Sequence, residues 1–390
     1  MADFLIDPQT LERWVYDLWR CAGSQEREAQ DTAEHLVLAN LSGHDSHGVG
    51  MNDRYVASLM HQELRLNQSI RLAHDAANLF IADGQRGMGQ SVARQAMDLG
   101  IERALLHGHC IFGLRHAHHI GRIGHWAEMA ADKGLVSVHF TNAIGSPTMV
   151  APFGGAQARF LTNPFTAAIP RKEEAPIIVD FATSAIAHGK VRVAYNKGVE
   201  VPDACLIDAK GRPTNNPAVM FEPDDDGQLG ALLTFGGHKG YGLALVCELL
   251  GAALIGGESI HPKHFPQQYA IWNNMLVILI DPDRLGQASY FSEELARFVQ
   301  WLESAALSQG SSQALSQSSE AAAAAATIFT DRVLLPGEPE VAMRKARAKA
   351  IPIDANTLAQ LDRCAQRVEE AFGRSPGALS SLKASDRFES

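Results

Sequence analysis

Apolar positions recur at helical spacing from the start of the chain. Leu11, Trp14, Val15, Leu18 and Trp19 share one face, the pattern of an amphipathic helix. Asp7-Pro8 ahead of them supplies a side-chain acceptor and a residue with no N–H to leave unpaired, and Gly23 closes the run. Ser24 is placed to cap a second helix that carries Ala29, Ala33, Leu36, Val37 and Leu38 and ends near Ser42-Gly43. This helical module delivers the sequence GHDSHGVG at its exit. A further helix is predicted from Ser91 to Leu106, after the apolar run Asn78 to Ala82.

After Leu106 the period changes. Short apolar runs at Cys110–Leu114, Leu135–Phe140 and Ile177–Asp180 alternate with helical stretches at Ile123–Asp132 and Thr183–Tyr195, which predicts an α/β sheet domain. A strongly apolar helix is expected over Gly240–Ile255, a strand over Met275–Asp281 and a helix over Ser292–Ala306. The segment Ser308–Ala326 is low-complexity and reads as a surface loop or marginal helix. Ala355–Phe372 regains helical periodicity and is expected to pack back on the N-terminal helices.

Composition narrows the function classes. The 390 residues are 46% hydrophobic and 20% charged with a formal net charge of -10, so no basic footprint for nucleic acid is present. The longest apolar candidate for a membrane span, Tyr241–Ile255, is short of the eighteen or so residues required and contains Glu248. Together with the absence of an export signal at the start, this predicts a cytoplasmic protein with no membrane partner. Five scattered cysteines without a CxxC pair fit reduced thiols.

Four motifs carry the chemistry. LFIADGQRGMGQSV resembles a dinucleotide-binding turn, but it lacks the third glycine, and no acidic residue follows near Cys110–His116. The reading it supports is a glycine-rich turn into a helix. GGHKGYGLAL places Lys239 and backbone N–H groups at a helix start, a seat for phosphate or carboxylate, or else a close-packed helix with a solvated lysine. In VDFATS, Asp180 ends an apolar strand, either as a ribose ligand or as a helix cap. Two turns are rich in histidine: HDSHG, with His44 and His47, and RHAHHIGRIGHW, with His116, His118, His119 and His125. Imidazole suits proton transfer near neutral pH. On a strand His116 and His118 face one side, as in a zinc HxH pair, so a metal-dependent hydrolase is a remote alternative, although no carboxylate lies between Gly108 and Trp126.

Taken in order, DSHGVG followed by Tyr55, HHIGRIGHW, VSVHFTNA, APFGG with TNPF, DFATS with GK, GGHKGYGLAL and LLPGEPE resemble the malate/L-lactate/sulfolactate dehydrogenase family, a group of NAD(P)-dependent oxidoreductases without a Rossmann fold. The resemblance runs from the first helix to the AIP at Ala350. It implies a mixed-sheet α/β cofactor domain over residues 141–259 and a helical module over 1–75 joined by C-terminal helices of 340–390. Residues 76–140 and 260–339 would then form a substrate and dimer region.

The resemblance further implies a homodimer and hydride exchange between NAD or NADP and C2 of a 2-hydroxy or 2-oxo acid, with no metal. It assigns acid/base duty to His119 and His47. Cofactor contacts fall on Thr141, Asn142, Asp180, Ala182, Thr183, Ser184, His238, Lys239, Gly240, Pro336, Gly337 and Glu338. Tyr55 belongs to the substrate side. Many members carry a carboxylate-gripping arginine where this chain has Met51, leaving Arg54, Arg115 or Arg122 as substitutes. A cyclic imine reductase, also found in this family, is the alternative.

Overall fold

In the computed structural model, which describes residues 4–145, 147–264, 269–307, 332–381 and 387–388, a short strand β1 (Phe4–Ile6) leads into α1 (Pro8–Ala22) and α2 (Glu26–Leu41). Asp7 caps α1, accepting from the Thr10 N–H at 2.8 Å, and Gly23 ends it with a φ of 107°. Ser24 does not cap α2. The N-cap is Gln25, and the Ser24 hydroxyl donates instead to Glu28 at 2.7 Å. Two single turns, Asp45–His47 and Val49–Met51, carry the chain into α3 (Asn52–Met60).

Next come β2 (Arg71–Ala76), β3 (Leu79–Asp83), α4 (Gly89–His107), β4 (His109–His118), α5 (Ile123–Ala131), β5 (Val136–Ile144), β6 (Pro164–Arg171) and β7 (Glu174–Ala182). Helix α6 (His188–Lys197) starts later than expected. Thr183 and Ser184 are drawn off first, because Ser184 bridges to Thr234 and both hydroxyls bond to nearby carbonyls. A small sheet of β8 (Leu206–Ile207), β9 (Pro213–Thr214) and β10 (Ala231–Leu232) precedes α7 (His238–Gly251), β11 (Trp272–Ile280) and α8 (Ala288–Glu303). The low-complexity stretch lies outside the described residues.

The main sheet has seven strands in the order β2-β3-β4-β11-β5-β6-β7. Only β3 and β4 pair in parallel; the other neighbours are antiparallel. This mixed α/β sheet differs from the all-parallel sheet of a doubly wound nucleotide fold. Helix α5 packs on β5, β6 and β7. On the alternate positions of those strands Phe140, Phe165 and Phe181 form a ring chain that reaches Phe235 at the entry to α7, so α5 and the start of α7 take opposite faces. The apolar stretch His238–Ile255 reaches 18 residues, longer than the expected Tyr241–Ile255 and long and apolar enough to cross a membrane. Here α7 packs on β5, with Cys247 and Glu248 turned into the fold.

The chain returns through α9 (Glu338–Ala346), β12 (Ile351–Ile353), α10 (Ala355–Phe372) and β13 (Arg387–Phe388). Strands β12 and β13 flank β1, and α10 lies against α1 and α3. Leu11, Leu18, Leu36, Leu358 and Leu361 share one core with Trp19 and Tyr55, where each leucine truncation to alanine costs about 2–5 kcal/mol. Both chain ends therefore hold the module that presents the HDSHG turn.

Candidate active site

Two turns meet beside Tyr55. The first is HDSHG, clamped from the C-terminal end of the chain. Arg347, 4% exposed, grips Asp45 through both guanidinium ends at 2.8 and 3.1 Å and also reaches the Asn40 carbonyl. Glu340 holds His44 at 3.2 Å, and the Asn40 side chain accepts from the Val49 N–H at 2.8 Å.

The second turn is the end of β4. His116 adopts a φ of 53°, and the register with β11 slips between Asn273 and Met275. Its ring turns to Asp83 at 3.0 Å, where Arg115 also pairs at 3.2 Å. His118 instead packs edge-on against the buried Tyr55 ring at 4.9 Å. The bulge thus sends the two histidines of the HxH pair to different partners. Among the described residues no group of three or more His, Cys, Asp or Glu could hold a metal ion.

His119 is brought to the centre. Its Nδ1 lies 2.6 Å from the Tyr55 hydroxyl, and its ring stacks on His47 with centroids 5.6 Å apart and planes 20° apart. Burial, reinforced by His47, drives the His119 pKa well below the usual histidine range. Burial also lowers His47 to about 4, with Asp180 opposing it. Both rings are neutral at rest. Burial raises the Tyr55 pKa, so at rest this phenol is protonated and can donate to His119 Nδ1.

The three candidate arginines differ sharply. Arg122, 3% exposed, is bound to Glu128 at 2.6 Å, and Glu128 also takes Arg344. Arg115 is spent on Asp83 and the Gly256 carbonyl. Arg54, on α3, donates only its Nε, to the Tyr269 carbonyl at 2.5 Å; its two terminal nitrogens have no hydrogen bond among the described residues. Its charge acts on both His118 and His119. Met51 is half-buried against the helical core.

Several residues expected at the cofactor are occupied by the fold. The Asp180 carboxylate caps α5, accepting from the Gly124 N–H and the Thr166 hydroxyl, each at 2.8 Å. The Asn142 side chain joins Glu248, Glu258 and Asn274. Glu338 takes Arg332 and the Leu335 N–H, while the Pro336 carbonyl accepts from Ile178, laying Gly337 beside Pro176 and Ile178 in the first half of β7, away from Ala182 at its end. Others remain open to a ligand. The Thr141 hydroxyl is buried with no hydrogen bond among the described residues. Thr183 and Ser184 pair with the strand entering α7, whose first residues His238 and Lys239 are exposed ahead of the buried Gly240. Gly236 and Gly237, with positive φ of 56° and 62°, turn the chain into that helix; the Lys239 and Gly240 N–H groups already donate to the Gly236 and Phe235 carbonyls, so the His238 N–H and the Lys239 ammonium are what this turn offers a ligand. A phosphate-bearing group fits this cradle.

The buried histidines have a consequence for stability. His118, His125 and His139 are each lowered to about 3 by burial, against a usual 6.5. Unfolded, each takes up a proton as pH falls below 6.5; folded, it does not until about 3. The unfolded state thus binds more protons across that window, and stability falls as pH falls. At about pH 5.5 each costs on the order of 1 kcal/mol relative to neutral pH, a few kcal/mol together. Urea titrations between about pH 7.5 and 5.5 are expected to show that loss, and a flat profile would contradict it.

A family model described as malate/L-lactate dehydrogenase matches residues 6–328. Hydroxycarboxylate dehydrogenase B of Escherichia coli K12 is 45% identical over 354 residues, covering 90% of this chain and 91% of that one. L-lactate dehydrogenase of Cupriavidus necator is 38% identical over 344 residues, covering 88% and 92%. The solved structure of sulfolactate dehydrogenase from Methanocaldococcus jannaschii aligns with a TM-score of 0.79 at 28% identity, over 95% of this chain and 98% of that one. With sequence and fold shared along nearly its whole length, the chain belongs to the malate/L-lactate dehydrogenase family, oxidoreductases that act on hydroxy acids.

Proposed function

We propose that the protein exchanges a hydride between a nicotinamide dinucleotide, NAD or NADP, and C2 of a 2-hydroxy or 2-oxo acid, with His119 as the proton carrier. The observation that carries this reading is the His119 ring, fixed by Tyr55 at Nδ1 and stacked on His47, within reach of the Arg54 charge. The glycine cradle and Lys239 at the start of α7, with the Thr141 hydroxyl, would hold the dinucleotide, which when bound supplies the hydride. Arg54 takes the substrate carboxylate as a charge-assisted pair.

As C2 becomes an alkoxide, His119 gives the oxygen its Nε2 proton. Nδ1 takes the Tyr55 hydroxyl proton along the 2.6 Å hydrogen bond, so the ring never becomes an imidazolate. The resting state returns when the Nδ1 proton goes back to Tyr55 along the same hydrogen bond and Nε2 takes up a proton from solvent, accounting for the one proton that reduction consumes. His47, neutral and stacked, steadies the ring without repelling it.

The experiment is a panel of 2-oxo acids and cyclic imino acids with NADH and NADPH in the presence of EDTA. Reduction of a 2-oxo acid that survives the chelator is expected. Turnover restricted to imines would assign the protein to imine reduction, and loss of activity in EDTA would return the metal reading.

A further inference from the structure

The glycine-rich turn that resembled a dinucleotide fingerprint has a different use. Gly89 opens α4 against the end of β4, where a Cβ would collide with the carbonyl oxygens of His118 and His119. That close approach brings the next residue, Gln90, under the catalytic pair. Gln90 is fully buried, and its Nε2 lies 3.1 Å from the Tyr55 hydroxyl and 3.2 Å from the His119 carbonyl. A carbonyl oxygen only accepts, so the amide nitrogen must face it, which fixes the orientation of the Gln90 amide. Both amide protons are then spent, one on the His119 carbonyl and one on the Tyr55 oxygen.

The direction of the next hydrogen bond follows. With Gln90 donating to it, the Tyr55 oxygen gives its own proton to an acceptor. His119 Nδ1 stands at 2.6 Å, whereas the His119 carbonyl is 3.5 Å away; the shorter bond wins. An Nδ1 that accepts carries no proton, so the neutral ring carries its proton on Nε2. We propose that Gln90 is a positioning residue that orients the Tyr55 hydroxyl and so holds resting His119 as the Nε2–H tautomer. The same N–H from Gln90 meets the Tyr55 oxygen as its proton moves to Nδ1, and this bond draws the Tyr55 pKa downward against the effect of burial. The inference rests on His119 being the proton carrier.

The test reads the tautomer directly. Long-range 1H–15N spectra of histidine-labelled protein are expected to show the resting His119 ring protonated at Nε2, and a ring protonated at Nδ1 in the wild type would overturn the proposal whatever the activity. In Gln90→Leu the ring is expected to become a tautomer mixture, and kcat to fall about tenfold to a hundredfold at unchanged KM and cofactor affinity. Gln90→Glu adds a pH signature. Once ionised, the introduced carboxylate accepts the Tyr55 proton, so activity falls with rising pH through an ionisation the wild type lacks. Wild-type kcat in Gln90→Leu, or a loss of kcat that tracks cofactor affinity and melting temperature with the tautomer unmoved, would reduce Gln90 to a structural role. Because the spectrum needs no turnover, failure here removes the Tyr55-to-Nδ1 relay alone, while the role of His119 in turnover is read separately from the His119→Asn rate.

Discussion

His119→Asn is expected to cut kcat by about 10²- to 10⁴-fold while nicotinamide affinity stays within about twofold. The asymmetry follows from position. His119 touches Tyr55 and His47, whereas the proposed dinucleotide cradle lies at the start of α7. Asparagine keeps a polar side chain in a buried site without a transferable proton. His47 is a poor understudy, since burial lowers it to about 4 and its ring centroid lies 5.6 Å from that of His119. Adding a His47 substitution should therefore cost little more, as expected for groups acting as one unit. Steady-state kinetics with a fluorescence titration of the reduced cofactor checks both halves, and wild-type kcat in His119→Asn would remove the assignment.

Arg54→Gln is expected to raise KM for the 2-oxo acid about 10- to 100-fold, which corresponds to the roughly 1.5–3 kcal/mol of a hydrogen bond to a charged group. Arg54→Lys should recover part of that loss, since the charge returns without the planar fork. The decisive comparison is between the acid and its neutral amide, a pair the wild type should separate and Arg54→Gln should not. Arg122 gives a different outcome under substitution. Its removal leaves the largely buried Glu128 with Arg344 as its one ion-pair partner among the described residues, a change that costs stability and so appears first as a lower melting temperature. An unchanged KM in Arg54→Gln would mean that another group holds the carboxylate.

Where a local pattern decided the structure, the sequence was legible. The Leu11 to Trp19 face, Asp7 and Gly23 give α1 with its caps in place, and the periodicity of Ala355–Phe372 gives α10 against α1. Strand β6 was missed because it opens at Pro164 within a stretch read as a motif. Thr183 and Ser184 were read into a helix because their bonds to a strand some fifty residues on leave no local trace.

The site divides in the same way. Residue patterns alone marked a cluster of histidines, and the positive φ of His116, which separates the HxH pair, is invisible in them. The choice of His119 came from resemblance. Arg347 was missed because its partner Asp45 lies 302 residues away. Gln90 stood inside the very motif set aside for lacking a third glycine. A close helix-to-strand approach uses the same glycines as a phosphate turn.

In the proposed reaction hydride reaches C2 while His119 delivers the proton. A single-turnover reduction of a 2-oxo acid, with the cofactor deuterated at its transferable position, tests both parts when wild type and His119→Asn are compared. Deuterium at C2 of the hydroxy acid is expected in both proteins, with the step slowed about a hundredfold or more in the variant. Equal single-turnover rates, or a product without deuterium at C2, would contradict it.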